Sequence, residues 1–194
     1  MEIRNHMGEL FVLALFVACG CAHHPEPAVR YVSRAETKPN SAAPGAQHRL
    51  IATRADGSKE YALLLARGDE VMTALTDFAR AEQVTAASFM AIGAVRAAEV
   101  GWFDFEKQQY KAMRHDEQLE VLSLLGDIGL GADGQPTVHA HATLGRESGR
   151  AFGGHLVRAT VSPTLEVFLT SYPRALKKQR DPKDDVELFQ LSSP

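Results

Sequence analysis

The amino-acid sequence has no cysteine after Cys21, no apolar run long enough to cross a bilayer, and no excess of basic charge. Without cysteines, residues 22–194 cannot form a disulfide or offer a thiolate to a metal. The formal net charge of −3 gives no electrostatic reason to expect a nucleic-acid partner, because Lys and Arg contacts to phosphates supply most of that affinity. The N-terminal apolar run, residues 10–18, is shorter than the roughly 20 residues that a membrane-spanning helix needs.

The N-terminus has the features of an export signal. Arg4 precedes the apolar run, which ends in Cys19-Gly20-Cys21 and fits the apolar region of a secretory signal peptide. Small residues beside a cysteine resemble a bacterial lipobox, in which the cysteine becomes the lipidated first residue. We favour Cys21 as that residue and keep Cys19 as the alternative; a plain cleaved signal peptide or a buried apolar helix also stays open. We expect an exported cell-envelope protein, lipid-anchored to a membrane that it does not span.

Composition divides the chain into three segments. Residues 1–21 form the predicted signal peptide with its lipobox-like end. Residues 22–48 contain four of the nine prolines among Ala and Ser, and such a stretch buries too little to fold, so we expect a flexible linker. Residues 49–194 form the predicted folded domain.

The pattern of that domain predicts an α+β fold: a mainly antiparallel β-sheet with one principal amphipathic helix, in a compact single domain. We expect Asp69 to cap the helix, whose apolar stripe has i, i+3, i+4, i+7, i+8 spacing. The stripe consists of Val71, Ala74, Leu75, Phe78 and Ala79. Short strands are predicted over residues 50–54, 60–66, 85–92, 99–103, 119–125, 138–144, 156–161, 165–170 and 186–191, with breaks at glycines and at Pro163.

Three of the eight histidines suggest a metal site. His139 and His141 are one residue apart in a predicted strand, so both imidazoles leave the same face. His155 begins the next predicted strand and comes near them if the two strands pair as a hairpin through residues 145–150. Gly153 and Gly154 would allow the close backbone approach. We expect His115, in a charged stretch, to lie in a solvated loop.

A divalent cation would satisfy these imidazoles through their neutral ring nitrogens. Three nitrogen ligands with an open fourth position is a zinc arrangement that leaves room for water or a small ligand. The same ligands also suit Ni, Co, Cu or Fe, so we predict Zn²⁺ or another divalent transition metal. The alternative is that the histidines are polar residues on an exposed sheet face.

An ordered series of short segments extends this interpretation. The segments are Ala87-Ser88-Phe89-Met90-Ala91-Ile92-Gly93-Ala94-Val95, Gly101-Trp102-Phe103-Asp104, Tyr110, Leu119 to Ile128, His139-Ala140-His141, Gly153-Gly154-His155-Leu156 and Val161 to Glu166. In this order they resemble the plants-and-prokaryotes-conserved (PPC) domain, over about residues 49–172. The resemblance implies a compact α+β domain that assembles as a homotrimer and binds metal through His139, His141 and His155.

We therefore expect a metal-binding or ligand-binding trimer of the cell envelope without strong catalysis. A metal-dependent enzyme is the alternative, since Asp127 or Glu147 could reach the site in some folds. A cupin is disfavoured because Glu147 falls one position late for the first cupin motif and no proline precedes Gly153-Gly154. DNA binding is the second alternative, because plant members of the family carry AT-hooks. This chain has no Arg-Gly-Arg-Pro hook and has an export leader, so a nucleic-acid partner is not expected.

Overall fold

The computed structural model describes residues 27–39, 41–184 and 186–191. The predicted leader, with Cys19 and Cys21, lies outside these residues. Within them, one α-helix, α1 (Val71–Ala81), and a short 3₁₀ helix (Arg34–Thr37) accompany ten strands. The strands are β1 (Ala28–Val32), β2 (Gln47–Thr53), β3 (Lys59–Ala66), β4 (Ala87–Asp104), β5 (Gln109–His115), β6 (Leu119–Leu130), β7 (Pro136–Gly145), β8 (Ala151–Ser171), β9 (Lys178–Arg180) and β10 (Glu187–Phe189). No helix among the described residues is long and apolar enough to span a bilayer.

Eight strands form one antiparallel sheet in the order β1-β5-β4-β6-β7-β8-β3-β2. The long strands β4 and β8 also pair with each other, which closes a circuit of pairings through β6 and β7. α1 packs on β7 and β8, and the apolar side chains of helix and strands share one buried cluster. The prediction of a single compact domain of mainly antiparallel sheet with one principal helix is confirmed.

The residue that caps α1 is Glu70, so the prediction of Asp69 as the cap is wrong. The Glu70 carboxylate accepts hydrogen bonds from the backbone N–H of Met72 at 3.1 Å and of Thr73 at 2.7 Å. Asp69 is buried one residue earlier, where its carboxylate accepts from the N–H groups of Gly45 and Ala66. Two adjacent acids thus have different roles, and the turn geometry decides between them. The predicted apolar stripe of α1 is buried, as expected.

β4 and β8 are each one long strand where the sequence predicted two. Gly93 and Pro163 were expected to interrupt them, yet pairing continues on both sides of each residue. The β4–β8 register shifts between Gly93 and Val95, and the β4–β6 register shifts between Ala91 and Gly93. Such bulges absorb an irregular residue by bending the strand rather than ending it.

Part of the predicted linker over residues 22–48 is ordered. β1 pairs with β5, and the following residues form the 3₁₀ helix. Val32 is fully buried, and Arg30 Nε donates to Glu99 Oε1 at 2.8 Å. A buried carboxylate needs a charged partner, so Glu99 provides a fixed anchor for β1. The prediction of a flexible linker therefore does not hold for residues 28–37.

Candidate metal centre

The β7–β8 hairpin brings the three predicted histidines together. His139 and His141 alternate along β7 on one face, and His141 is the cross-strand partner of His155 on β8. The predicted hairpin is confirmed, since Arg146 N–H donates to the carbonyl of Arg150 to close its loop. His155 lies inside β8 rather than at its start. Period-two alternation and the hairpin register are sufficient to place all three imidazoles on one surface.

The three imidazoles form a compact cluster. One ring nitrogen from each of His139, His141 and His155 lies within 4.8 Å of the others. The ring centroids are 5.1, 5.2 and 5.5 Å apart. Nitrogen atoms at this spacing need only small side-chain movements to contact one cation together.

His155 is the most deeply placed of the three. Its ring stacks on Tyr110, with 4.4 Å between centroids and 13° between planes, and its Nδ1 is buried without a hydrogen-bond partner. Burial, with smaller effects from His139 and His141, lowers the pKa of His155 to about 3. Burial and the nearby His139 also lower the pKa of His141. Neutral imidazole is the form that binds metal, and an unpartnered buried nitrogen is the atom that a metal would satisfy. The residues present therefore fit a cation.

Close backbone contacts set the spacing of this cluster. A Cβ atom on Gly153 would lie 2.2 Å from the carbonyl oxygen of Ala142, the residue next to His141. One on Gly154 would lie 2.7 Å from the carbonyl oxygen of Gly101 on β4. Only glycine allows β8 to lie this near to β7 and β4, as the sequence suggested.

Asp127 on β6 contacts the cluster from the neighbouring strand. It is the cross-strand partner of His139, and its Oδ2 lies 3.4 Å from His139 Nδ1. Its Oδ1 forms an ion pair with Lys178. Burial by itself would raise the pKa of the Asp127 carboxyl, but His139 and Lys178 outweigh it and hold that pKa below its usual value. Of the two acids considered from the sequence, Asp127 reaches the site, while Glu147 is exposed in the β7–β8 loop.

A cleft of about 420 Å³ opens beside His139 and His155. α1 forms one wall, and further walls come from the 3₁₀ helix, which contributes Arg34, and from the β9–β10 region, which contributes Lys178 and Glu187. Arg34 and Glu187 form an ion pair that connects the two ends of the described chain. The cluster therefore borders a space large enough for a small molecule.

Sequence reasoning missed several residues around the site. Lys178 and Arg34 have no local pattern that sets them apart, because only the folded chain brings them to the cleft. The prediction for His115 is wrong: it is 6% exposed at the end of β5, near Phe152 and Arg146. Its pKa is lowered by burial and by the Arg146 charge. On the face of β5 that His115 shares with Gln109 and Lys111 only Met113 is apolar, so alternation along this strand gave no signal for that burial.

Fold and cluster together define a small α+β domain with a three-histidine candidate metal site. The family model of the Plants and Prokaryotes Conserved (PCC) domain matches residues 52–173. The chain belongs to this family, the PPC family that the sequence resembles. A comparison with curated proteins found no match.

Several solved structures are similar to this chain. A plant- and prokaryote-conserved protein from Pyrococcus horikoshii is 30% identical; the match covers 76% of this chain and 97% of that chain, with a TM-score of 0.65. A metal-containing protein from Archaeoglobus fulgidus is also 30% identical, covering 74% and 98% with a TM-score of 0.64. A protein from Ralstonia eutropha JMP134, provisionally called DNA-binding, is 30% identical, covering 73% and 95% with a TM-score of 0.64.

Proposed function

We propose that this protein binds one divalent transition-metal ion per chain through His139, His141 and His155, with zinc as the first candidate. The observation that carries the proposal is the convergence of three imidazoles on one surface, one of them with a buried nitrogen that has no hydrogen-bond partner. The metal-containing relative from Archaeoglobus fulgidus supports it. The ligand set is all nitrogen, which suits zinc and leaves a fourth position for a small ligand from the adjacent cleft.

Binding is favoured over catalysis by the surroundings of Asp127, the acid that lies against His139. Asp127 faces His139 with one oxygen and Lys178 with the other, so neither oxygen is turned to the cleft as a free general base. A metal-dependent enzyme stays the second candidate because the 420 Å³ cleft beside the histidines could admit a substrate.

A DNA-binding role has little support in the charge distribution. Seven arginines of the described residues already pair with carboxylates: Arg30, Arg34, Arg54, Arg80, Arg114, Arg146 and Arg158. Phosphate contacts by these side chains would have to break existing ion pairs. The provisional DNA-binding description belongs to the Ralstonia eutropha relative, and it says nothing about the surface charges of this chain.

The protein is further proposed to be a homotrimer at the cell envelope, lipid-anchored through Cys21 or Cys19. An apolar face supports the assembly: Met90 is 57% exposed and lies between Leu125 and Phe168, each 54% exposed, on the neighbouring strands. Exposed apolar patches of this kind mark protein interfaces. The leader sequence supports export and anchoring.

Metal content measured by mass spectrometry tests the binding proposal. Residues 22–194 are purified, incubated with zinc and desalted, beside a His139→Ala/His141→Ala variant. We expect close to one metal per chain in the parent and almost none in the variant, with an unchanged circular dichroism spectrum. A His48→Ala variant is the matched control, since His48 is part-exposed beside Glu82, outside the cluster. Absence of metal from the parent, or equal metal in parent and double variant, would refute the proposal.

A further inference from the structure

A buried lysine lies behind the histidine cluster, outside the part of the chain that matches the family model. Lys178 on β9 is 5% exposed, whereas the match ends at residue 173. Its Nζ forms an ion pair with Asp127 Oδ1, and the Phe189 ring covers it at 5.1 Å. A lysine is seldom buried unless a partner compensates its lost hydration, so Asp127 is the reason that Lys178 can occupy this place.

A glycine on β6, Gly129, leaves room for the side chain of Lys178. A Cβ atom on Gly129 would lie 3.1 Å from both Cγ and Cε of Lys178, and 2.9 Å from the carbonyl oxygen of Leu176. Glycine at this position therefore leaves the space through which the lysine stem reaches Asp127. Lys178 Nζ also lies 3.4 Å from the carbonyl oxygen of Thr137, to which it donates.

Asp127 connects this lysine to a histidine of the site. One carboxylate oxygen faces Lys178 and the other lies 3.4 Å from His139 Nδ1. A carboxylate can only accept a hydrogen bond, so its presence favours the His139 tautomer that carries hydrogen on Nδ1. That tautomer leaves the Nε2 lone pair free for a metal. Outer carboxylates that fix a histidine ligand in this way are a general feature of metal sites.

We propose that Lys178 is a positioning residue for the metal site and acts through Asp127. The ammonium group fixes the rotation of the carboxylate, so that its second oxygen accepts the Nδ1 hydrogen of His139. The inference rests on the proposed metal-binding function, and it assigns a role in it to the segment that follows the family domain. Loss of Lys178 frees the carboxylate to rotate and weakens the preference of His139 for one tautomer.

A purely structural role for Lys178 would be to attach β9 to the sheet. The tautomer of His139 distinguishes the two roles, and it can be measured without metal. Protein labelled with ¹⁵N-histidine is studied by long-range ¹H–¹⁵N correlation at pH 8 in the presence of a chelator. We expect mainly the Nδ1–H tautomer in the parent and a mixture in Lys178→Met. Lys177→Met is the control, since it removes the same charge from an exposed neighbouring residue and should match the parent.

The effect of Lys178 and Asp127 on zinc affinity is measured by competition with a chromophoric zinc chelator. We expect Lys178→Met and Asp127→Asn each to weaken zinc binding about 10- to 100-fold, as loss of an outer partner commonly does. The combined variant should lose no more than Asp127→Asn alone, because the lysine acts through that carboxylate. Additive losses would refute the route through Asp127. Lys177→Met should bind like the parent.

The outcomes separate the inference from the proposed function. A parent that binds no zinc overturns the function, whereas the metal-free tautomer comparison still decides the role of Lys178. A parent that binds zinc, with a Lys178→Met variant equal to it in affinity and tautomer, overturns the inference alone. Should Lys178→Met fail to fold, Lys178→Met/Asp127→Leu removes the buried pair together and leaves no side-chain acceptor beside His139 Nδ1. If His139 in that double variant still prefers the Nδ1–H tautomer, Asp127 does not set the tautomer and the proposal is refuted.

Discussion

The burial of His155 makes the metal-free protein sensitive to acid. Its pKa of about 3 in the folded chain lies well below the value of about 6.5 expected after unfolding. Between these values the unfolded chain binds a proton that the folded chain does not, so stability is lost as the pH falls below about 6.5. From pH 7.5 to pH 5.0 this one group should lower the free energy of unfolding by about 2 kcal/mol. Because pH 5.0 is far above the folded-state pKa, the unfolded-state pKa sets this figure.

The assay is urea unfolding in a chelator at both pH values, at one protein concentration, for the parent and for His155→Phe. Phenylalanine keeps an aromatic ring against Tyr110 but cannot titrate. His141 and His115 also have lowered pKa values and contribute losses of the same sign in both proteins. The parent should therefore lose about 2 kcal/mol more than the variant between the two pH values. Equal losses in the two proteins would show that His155 is not buried as a neutral imidazole.

Three further predictions follow from other parts of the structure. Gly153→Ala would place a Cβ 2.2 Å from the Ala142 carbonyl oxygen. The added methyl group should push β8 away from β7 and weaken zinc binding at least tenfold in a chelator competition. It should also lower the free energy of unfolding in urea by about 1–3 kcal/mol. A zinc affinity equal to that of the parent would contradict the close contact. If the proposed trimer forms through the apolar face, Met90→Asp puts a charge on that face and should give a monomer in light scattering where the parent gives a trimer; Lys177→Asp, at an exposed residue, should not. A monomeric parent would refute the proposed assembly. Glu99→Gln removes the buried carboxylate between Arg30 and Arg158, which are both partly exposed. It should cost about 2 kcal/mol and expose residues 28–33 to limited proteolysis; a protease-resistant variant would show that Glu99 does not anchor β1.

The candidate site was largely predictable because it depends on local rules. Alternation along β7 places His139 and His141 on one face whatever the rest of the fold does. A short polar loop between two apolar stretches favours a hairpin, and the structure pairs His141 with His155 accordingly. Asp127 could only be named as a candidate, since it reaches His139 through the pairing of β6 with β7. This contact depends on the order of the strands in the sheet, which no local sequence pattern predicts.

The errors concern places where tertiary contacts compete with local preference. Glycine and proline usually end strands, but the pairing of β4 with β8 over nearly their whole length offsets the irregularity at Gly93 and Pro163. A proline-rich stretch usually lacks enough apolar surface to fold, but the segment around Val32 adds to a sheet edge that already exists. Asp69 is a good helix cap by type, yet its carboxylate accepts from the backbone N–H groups of Gly45, which precedes β2, and of Ala66 at the end of β3.

The sequence by itself determined the fold class, the family resemblance and the three histidines, because these follow from apolar periodicity and from residue types at fixed spacing. Only the tertiary structure decided what surrounds the histidines. The burial of His155 against Tyr110, the contact of Asp127 with His139 and the approach of Lys178 join residues from different strands. Such contacts arise from strand order and register, and these are set by the packing of the whole sheet rather than by any short segment.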